Sequence, residues 1–163
     1  MKKLGILLAM TLLLTGCGAR ETFETVSDNI VQSVMGQQRE VELRLPSHAL
    51  APVVNSDDGS KLYLCDGYIL MVHTLSAGDL NRTIRSLSGF EAAQLTLMET
   101  ADQDVKRYEW VWTSAGEGGD QMGRALVLDD GNRHYCLTAM ADAQTAGVLE
   151  TEWSGIFSSF RLL

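Results

Sequence analysis

Proline is nearly absent from this 163-residue chain, which has only Pro46 and Pro52. With no low-complexity tract and no internal repeat either, a linker-rich multidomain layout is excluded, and the length suits one domain with a single good core. Histidine is scarce too: His48, His73 and His134 are the whole complement, and no two stand at the i, i+4 spacing that places two ligands on one helix face. There is no Gly-x-Ser-x-Gly elbow, and Ser154, Ser158 and Ser159 fall in a terminal amphipathic segment. Gly116-Glu117-Gly118-Gly119-Asp120 is glycine-rich, but it lacks the lysine of a phosphate-binding loop and adds two acids that repel phosphate. Asp57-Asp58-Gly59 and Asp129-Asp130-Gly131-Asn132 miss the calcium-loop pattern. Asn81-Arg82-Thr83 matches a glycosylation sequon, yet it falls inside a segment that reads as helix. Long hydrophobic runs are missing as well. Residues 4–14, about eleven uncharged positions, fall short of the roughly 20 that a spanning helix needs.

That short run is nonetheless the most informative segment present. Lys2 and Lys3 precede it and Leu14-Thr15-Gly16-Cys17 closes it, the layout of a cleaved leader rather than a retained helix. The segment resembles a bacterial lipoprotein signal peptide with its lipobox. The resemblance implies a diacylglyceryl group on the Cys17 sulfur, bearing acyl chains of the palmitate class, and a mature chain that begins at Cys17. Ordinary secretory cleavage near Gly18-Ala19 is the competing reading. Each buried methylene contributes about 0.8 kcal/mol, so two acyl chains hold durably where one holds reversibly. The protein is therefore expected on the extracytoplasmic face of a cell membrane. Gly18, rather than Asp, after the cysteine implies the outer membrane if the cell is Gram-negative. The layout that follows is a signal peptide at 1–16, then a lipid anchor, short tether and amphipathic segment at 17–39, then a single domain at 40–163. Phe23, Val26, Ile30 and Val34 give the middle segment its helical spacing.

Loss of Lys2 and Lys3 leaves 11 basic against 21 acidic residues, a mature formal charge of −10. Such a surface repels phosphate backbones and anionic headgroups, so nucleic acid is excluded as a partner and the acyl chains must supply attachment. Assigning Cys17 to lipid leaves Cys65 and Cys136 as an even pair. Outside the cytoplasm a bond between them is chemically permitted, and closing a loop of roughly 70 residues would contribute about 4 kcal/mol. Two free thiols packed as small apolar groups are the other reading.

In the body of the chain the hydrophobic period identifies the elements. Val41, Leu43 and Leu45 alternate with charged residues, a strand closed by Pro46, and residues 47–60 read as loop. Runs at 62–65 and 68–75 flank Asp66-Gly67, a hairpin turn. Asp79 caps a helix facing Leu80, Ile84 and Leu87 inward, with Gly89 at the left-handed C′ position. Residues 95–99, 105–114, 122–128 and 133–140 form an antiparallel meander, with a tight turn at Asp129-Asp130-Gly131-Asn132. A last helix opens at Asp142 with Ala146, Leu149, Trp153, Ile156, Phe157 and Phe160 on one stripe, broad enough to cover a sheet face.

The order predicts an α+β fold: a mainly antiparallel sheet of six to seven strands, a short mid-chain helix and a C-terminal covering helix. Over roughly residues 40–160 the chain resembles the PsbP/Mog1-like fold, on element order and the ending Trp153-Ser154-Gly155-Ile156-Phe157-Ser158-Ser159-Phe160. It is also similar to small lipoproteins of Gram-positive anaerobes. The resemblance implies an accessory, partner-binding role.

The function expected is a non-enzymatic module, with no catalytic residue, metal or cofactor, that binds an envelope protein or small ligand. Tyr108, Trp110 and Trp112 share one strand face, which suits either stacking against a ligand or burial under a helix; Arg107 and Glu109 point the other way, toward water. The alternative is a hydrolase or metal-dependent enzyme assembled from His134, Asp129 and His73. Cys136, two residues after His134, shares its face and raises the further option of a thiol nucleophile.

Overall fold

The computed structural model describes residues 38–116 and 118–163. The leader, Cys17, the tether and the segment carrying Phe23 to Val34 lie outside the described residues. The elements run β1 (Val41–Glu42), β2 (Val53–Val54), β3 (Lys61–Cys65), β4 (Tyr68–Ser76), α1 (Leu80–Ser88), a 3-10 turn (Ala92–Gln94), β5 (Met98–Asp102), β6 (Val105–Gly116), β7 (Gly119–Asp129), β8 (Arg133–Asp142), α2 (Ala143–Ser159) and β9 (Arg161–Leu162). Strands β2 to β8 form one antiparallel sheet in the order β2-β3-β4-β8-β7-β6-β5, and β1 pairs with β9 separately. The fold is α+β, with the two helices on opposite faces of the seven-stranded sheet.

Local chemistry explains most boundaries. Asp79 accepts the amide of Asn81 at 3.0 Å to start α1, and Gly89 ends it at φ 79°, a left-handed conformation that costs glycine no Cβ clash. Gly67 and Gly131 stand at φ 80° and 85° in their turns. Asp130 fixes the second turn by accepting the amides of Asn132 and Arg133 at 2.9 and 2.8 Å.

Three expectations are corrected. The first strand is only two residues long, because beyond Glu42 the Arg44 amide donates to Ser159 Oγ at 2.9 Å instead of to a strand neighbour. Within 47–60, Val53–Val54 pairs with β3. The strand expected at 95–99 starts instead at Met98, after a turn closed by the Glu91 amide donating to Gln94 Oε1 at 2.9 Å. That local bond holds the backbone back from the ladder.

Alternation along the strands divides the core in two. On the α2 side Leu70, Leu126, Leu137, Ala139 and Tyr135 pack beneath Trp153, Ile156, Phe157 and Phe160. On the α1 side Tyr108, Trp110, Trp112, Ala125, Val127 and Cys136 pack beneath Ile84 and Leu87. Each large side chain so buried stabilises the fold by about 1.5–3 kcal/mol, and a sheet with an aromatic ladder on one face and a leucine-rich one on the other needs both helices.

Candidate functional site

Helix α2 packs chiefly on β7 and β8, toward one side of the sheet. A groove of about 550 Å³ therefore opens between the helix and the end of the sheet formed by β5, β6 and β7. Val111, Met122, Glu109 and Arg124 line its floor, Gly147, Glu150 and Trp153 its helical wall, and Thr96 and Met98 its outer lip. The lining is mainly apolar, and Met98 and Val111 are more than half exposed, at 59 % and 54 %.

At its inner end lies a charged network that sequence reasoning turned toward water. Glu109 is only 7 % exposed. Arg124 Nε donates to Glu109 Oε1 at 2.7 Å, Arg124 Nη2 donates to the same oxygen, and Nη1 reaches Ser154 Oγ at 3.4 Å. The Arg124 guanidinium lies 4.5 Å above the Phe157 ring, a cation–π contact. Arg107 Nη2 donates to Glu109 Oε2 at 3.1 Å and to the Phe157 carbonyl at 3.1 Å, with Nη1 at 3.5 Å from the Phe160 carbonyl. Arg107 thus adds side-chain donors to the carbonyls at the C-terminal end of α2, where the Phe157 carbonyl also accepts the Phe160 amide at 3.4 Å and positive charge is favoured. The reason is that the C-terminal half of α2 seats over this part of β6 and covers Arg107 and Glu109, while Val111 farther along the same face stays open. The breadth of the α2 stripe carried that signal.

The aromatic ladder is buried, with Tyr108, Trp110 and Trp112 at 8 %, 1 % and 6 % exposure. It contacts α1 and the segment after it, and offers no ligand face.

Cys65 and Cys136 are free thiols. Cys65 lies opposite Tyr68 on the α2 side and Cys136 belongs to the α1-side core, so the sheet stands between them and no bridge forms. Burial pushes the Cys136 thiol up to about 12 and raises Cys65 as well, away from the thiolate a nucleophile needs. Cys136 Sγ approaches the His134 carbonyl at 3.6 Å, not its ring.

His134 and Asp129 face each other across β7 and β8, 3.7 Å apart, and His73 shares their side as a diagonal neighbour on β4. The structure thus brings the three to one side of the sheet, but His134 is 1 % exposed and its Nδ1 sits 2.8 Å from Thr83 Oγ1 of α1. Burial holds His73 below its ordinary imidazole value, with Asp58 opposing the shift.

His48 joins a different cluster. Its Nδ1 accepts the Asp66 amide at 3.2 Å, so in the neutral ring Nε2 carries the proton that faces Glu152 at 3.1 Å. Glu152 also accepts the Tyr68 hydroxyl at 2.5 Å, which, with His48, holds its carboxyl below the usual range despite partial burial. The cluster fastens the 46–50 loop to α2. Among the described residues no three His, Cys, Asp or Glu side chains converge as metal ligands.

No family model matches the sequence, and no curated protein matches it either. Solved structures do. LpqN of Mycobacterium tuberculosis, described as involved in cell envelope biogenesis, aligns with a TM-score of 0.50 at 10 % identity over 78 % of this chain and 86 % of that one. A solution structure of the cyanobacterial PsbP, CyanoP, from Synechocystis sp. PCC 6803 aligns with a TM-score of 0.44 at 10 % identity over 73 % of this chain and 95 % of that one. The likeness to LpqN is one of fold: a single antiparallel sheet between two helices. No helix among the described residues is long and apolar enough to cross a membrane.

Proposed function

We propose that the protein is a lipid-anchored, extracytoplasmic binding module without chemistry of its own, and that it holds a partner segment or small apolar ligand in the groove between α2 and β5–β7. The groove carries the reading. It is open and mainly apolar, and the charged groups at its inner end already satisfy one another. General acid–base work needs a group free to exchange protons with a substrate. The Glu109 carboxylate accepts from two guanidiniums, and the His134 ring lies under α1. One observation favours the enzymatic alternative, the approach of His134 to Asp129; the burial of His134 against Thr83 of α1 weighs against it. The lipobox at Cys17 supports the anchor, and the fold shared with an envelope protein agrees with it by analogy alone.

The test has two arms. Expressed with its leader, the chain is expected to partition into Triton X-114 and to carry diacylglyceryl mass on Cys17, with Cys17→Ser released to the aqueous phase. For the groove, N-phenyl-1-naphthylamine is expected to bind saturably to the wild type. Gly147 lines the groove and a Cβ there meets nothing within 4 Å, so Gly147→Phe is expected to obstruct the groove and abolish that binding. A wild type that shows no saturable binding overturns the groove reading.

A further inference from the structure

Strand β6 is longer than the neighbour that covers its outer side. β5 pairs with it only from Val105 to Glu109, where Met98 begins β5. Residues 110–116 run on, paired with β7 on one side and, among the described residues, with no strand on the other. The side to which each residue turns its backbone follows from the two turns. Asp102 and Val105 close a two-residue hairpin, as do Gly116 and Gly119. A closing pair of this kind is hydrogen-bonded, and the direction alternates along a strand. Val105, Val111, Thr113 and Ala115 therefore aim their N–H and C=O groups toward the β5 side, and Gly116 with the even positions toward β7. Both turns give the same assignment. Beyond Met98, the groups of Val111, Thr113 and Ala115 meet no strand among the described residues.

Nor does the composition of this edge guard it. Natural edges are usually protected by Lys, Pro, a bulge or a covering segment, whereas Trp-Val-Trp-Thr-Ser-Ala-Gly at 110–116 has neither a charge nor a proline. Val111, which sits on this edge, is also part of the groove floor.

We infer that residues 110–116 are a docking edge for an extended polypeptide segment of a partner protein, which adds as an eighth strand beside β6 and lays large apolar side chains from alternate positions into the groove. This deepens the groove reading of the proposed function and rests on it. The edge selects the chemistry of the occupant: donors and acceptors alternating along about 24 Å, at roughly 3.4 Å per residue, are matched by another extended backbone and not by an acyl chain or a sugar. A second copy fits less well. Paired antiparallel about Thr113, it would set Ala115 beside Val111 and Thr113 beside Thr113, small side chains that leave the groove empty. The chain's net charge of −8 opposes that approach as well.

The experiment selects linear heptapeptides from a phage-displayed random library on the purified chain and measures binding of the enriched synthetic peptides. Enriched peptides are expected to carry apolar residues at alternate positions and to slow amide exchange at Val111 and Thr113. Their affinity should fall at least tenfold for Thr113→Pro, which removes an outward N–H without touching the β6–β7 ladder. Thr113→Lys, which adds an edge charge, is a second variant should the proline disturb folding. Both variants should keep N-phenyl-1-naphthylamine binding. The inference is overturned if no peptide is enriched, or if the enriched peptides bind both Thr113 variants as tightly as the wild type. Protection of the Val111 and Thr113 amides that rises with protein concentration alone would also overturn it, identifying a second copy as the occupant. Loss of the edge effect with naphthylamine binding intact leaves the groove reading standing, and absence of naphthylamine binding removes that reading first.

Discussion

The indole of Trp112 lies directly over Gly123, its cross-strand partner on β7, so that a Cβ added at Gly123 would collide with three ring atoms. The ring is buried and cannot swing out. Gly123 thus serves close packing, with the aromatic side chain filling the space its own side chain leaves vacant. Gly123→Ala should destabilise the fold by about 1–3 kcal/mol, the usual range for overpacking. Urea unfolding checks this, and an unchanged midpoint would contradict the packing.

Glu109 balances two guanidiniums that are themselves mostly buried, with Arg107 and Arg124 side chains at 28 % and 19 % exposure. Removing one partner of a buried pair leaves uncompensated charge at a cost of about 3–5 kcal/mol. Glu109→Ala is expected near the lower end of that range, because Arg107 keeps its bonds to the α2 carbonyls. Chemical denaturation followed by far-UV circular dichroism measures the loss.

Burial depresses the His73 imidazole, so the native state binds fewer protons than the unfolded chain as pH falls. Its contribution is fully present above the ordinary value near 6.5 and is lost as the pH falls through the folded value. The difference in Tm between pH 7.5 and pH 5.5 should shrink in His73→Phe. An equal difference in both proteins would show that His73 is not the group responsible.

The Cys65 and Cys136 thiols lie free on opposite faces of the sheet, the first half-buried and the second fully buried. Iodoacetamide at pH 8 should label Cys65 slowly and leave Cys136 untouched in the native protein, and label both in guanidinium chloride. An unreduced, unfolded sample that lacks two labelled thiols would restore the disulfide.

All three tryptophans, Trp110, Trp112 and Trp153, are at most 6 % exposed. Acrylamide should therefore quench native fluorescence weakly, and strongly after unfolding. Strong native quenching would place the ladder back at the surface.

Local chemistry was readable in the sequence wherever the residue itself sets the backbone. Asp79 and Gly89 bound α1, Asp66-Gly67 and Asp129-Asp130-Gly131-Asn132 turn the hairpins, and period-two alternation marks β6 to β8, because capping, positive φ and strand pleat act over a few residues. The α+β class follows from those elements in order. The surroundings of a side chain at a distance were beyond such reading. Alternation places Arg107 and Glu109 on one face of β6, and only the seat of α2 puts that face under cover. Alternation along a single strand likewise cannot tell that Cys65 and Cys136 fall on opposite sides, since relative facing depends on a register running through β3, β4 and β8. The groove and the free length of β6 belong to the tertiary structure: each exists because one element stops short of another, and although Glu91 and Gln94 delay the start of β5, only the β5–β6 register shows how much of β6 that leaves unpaired.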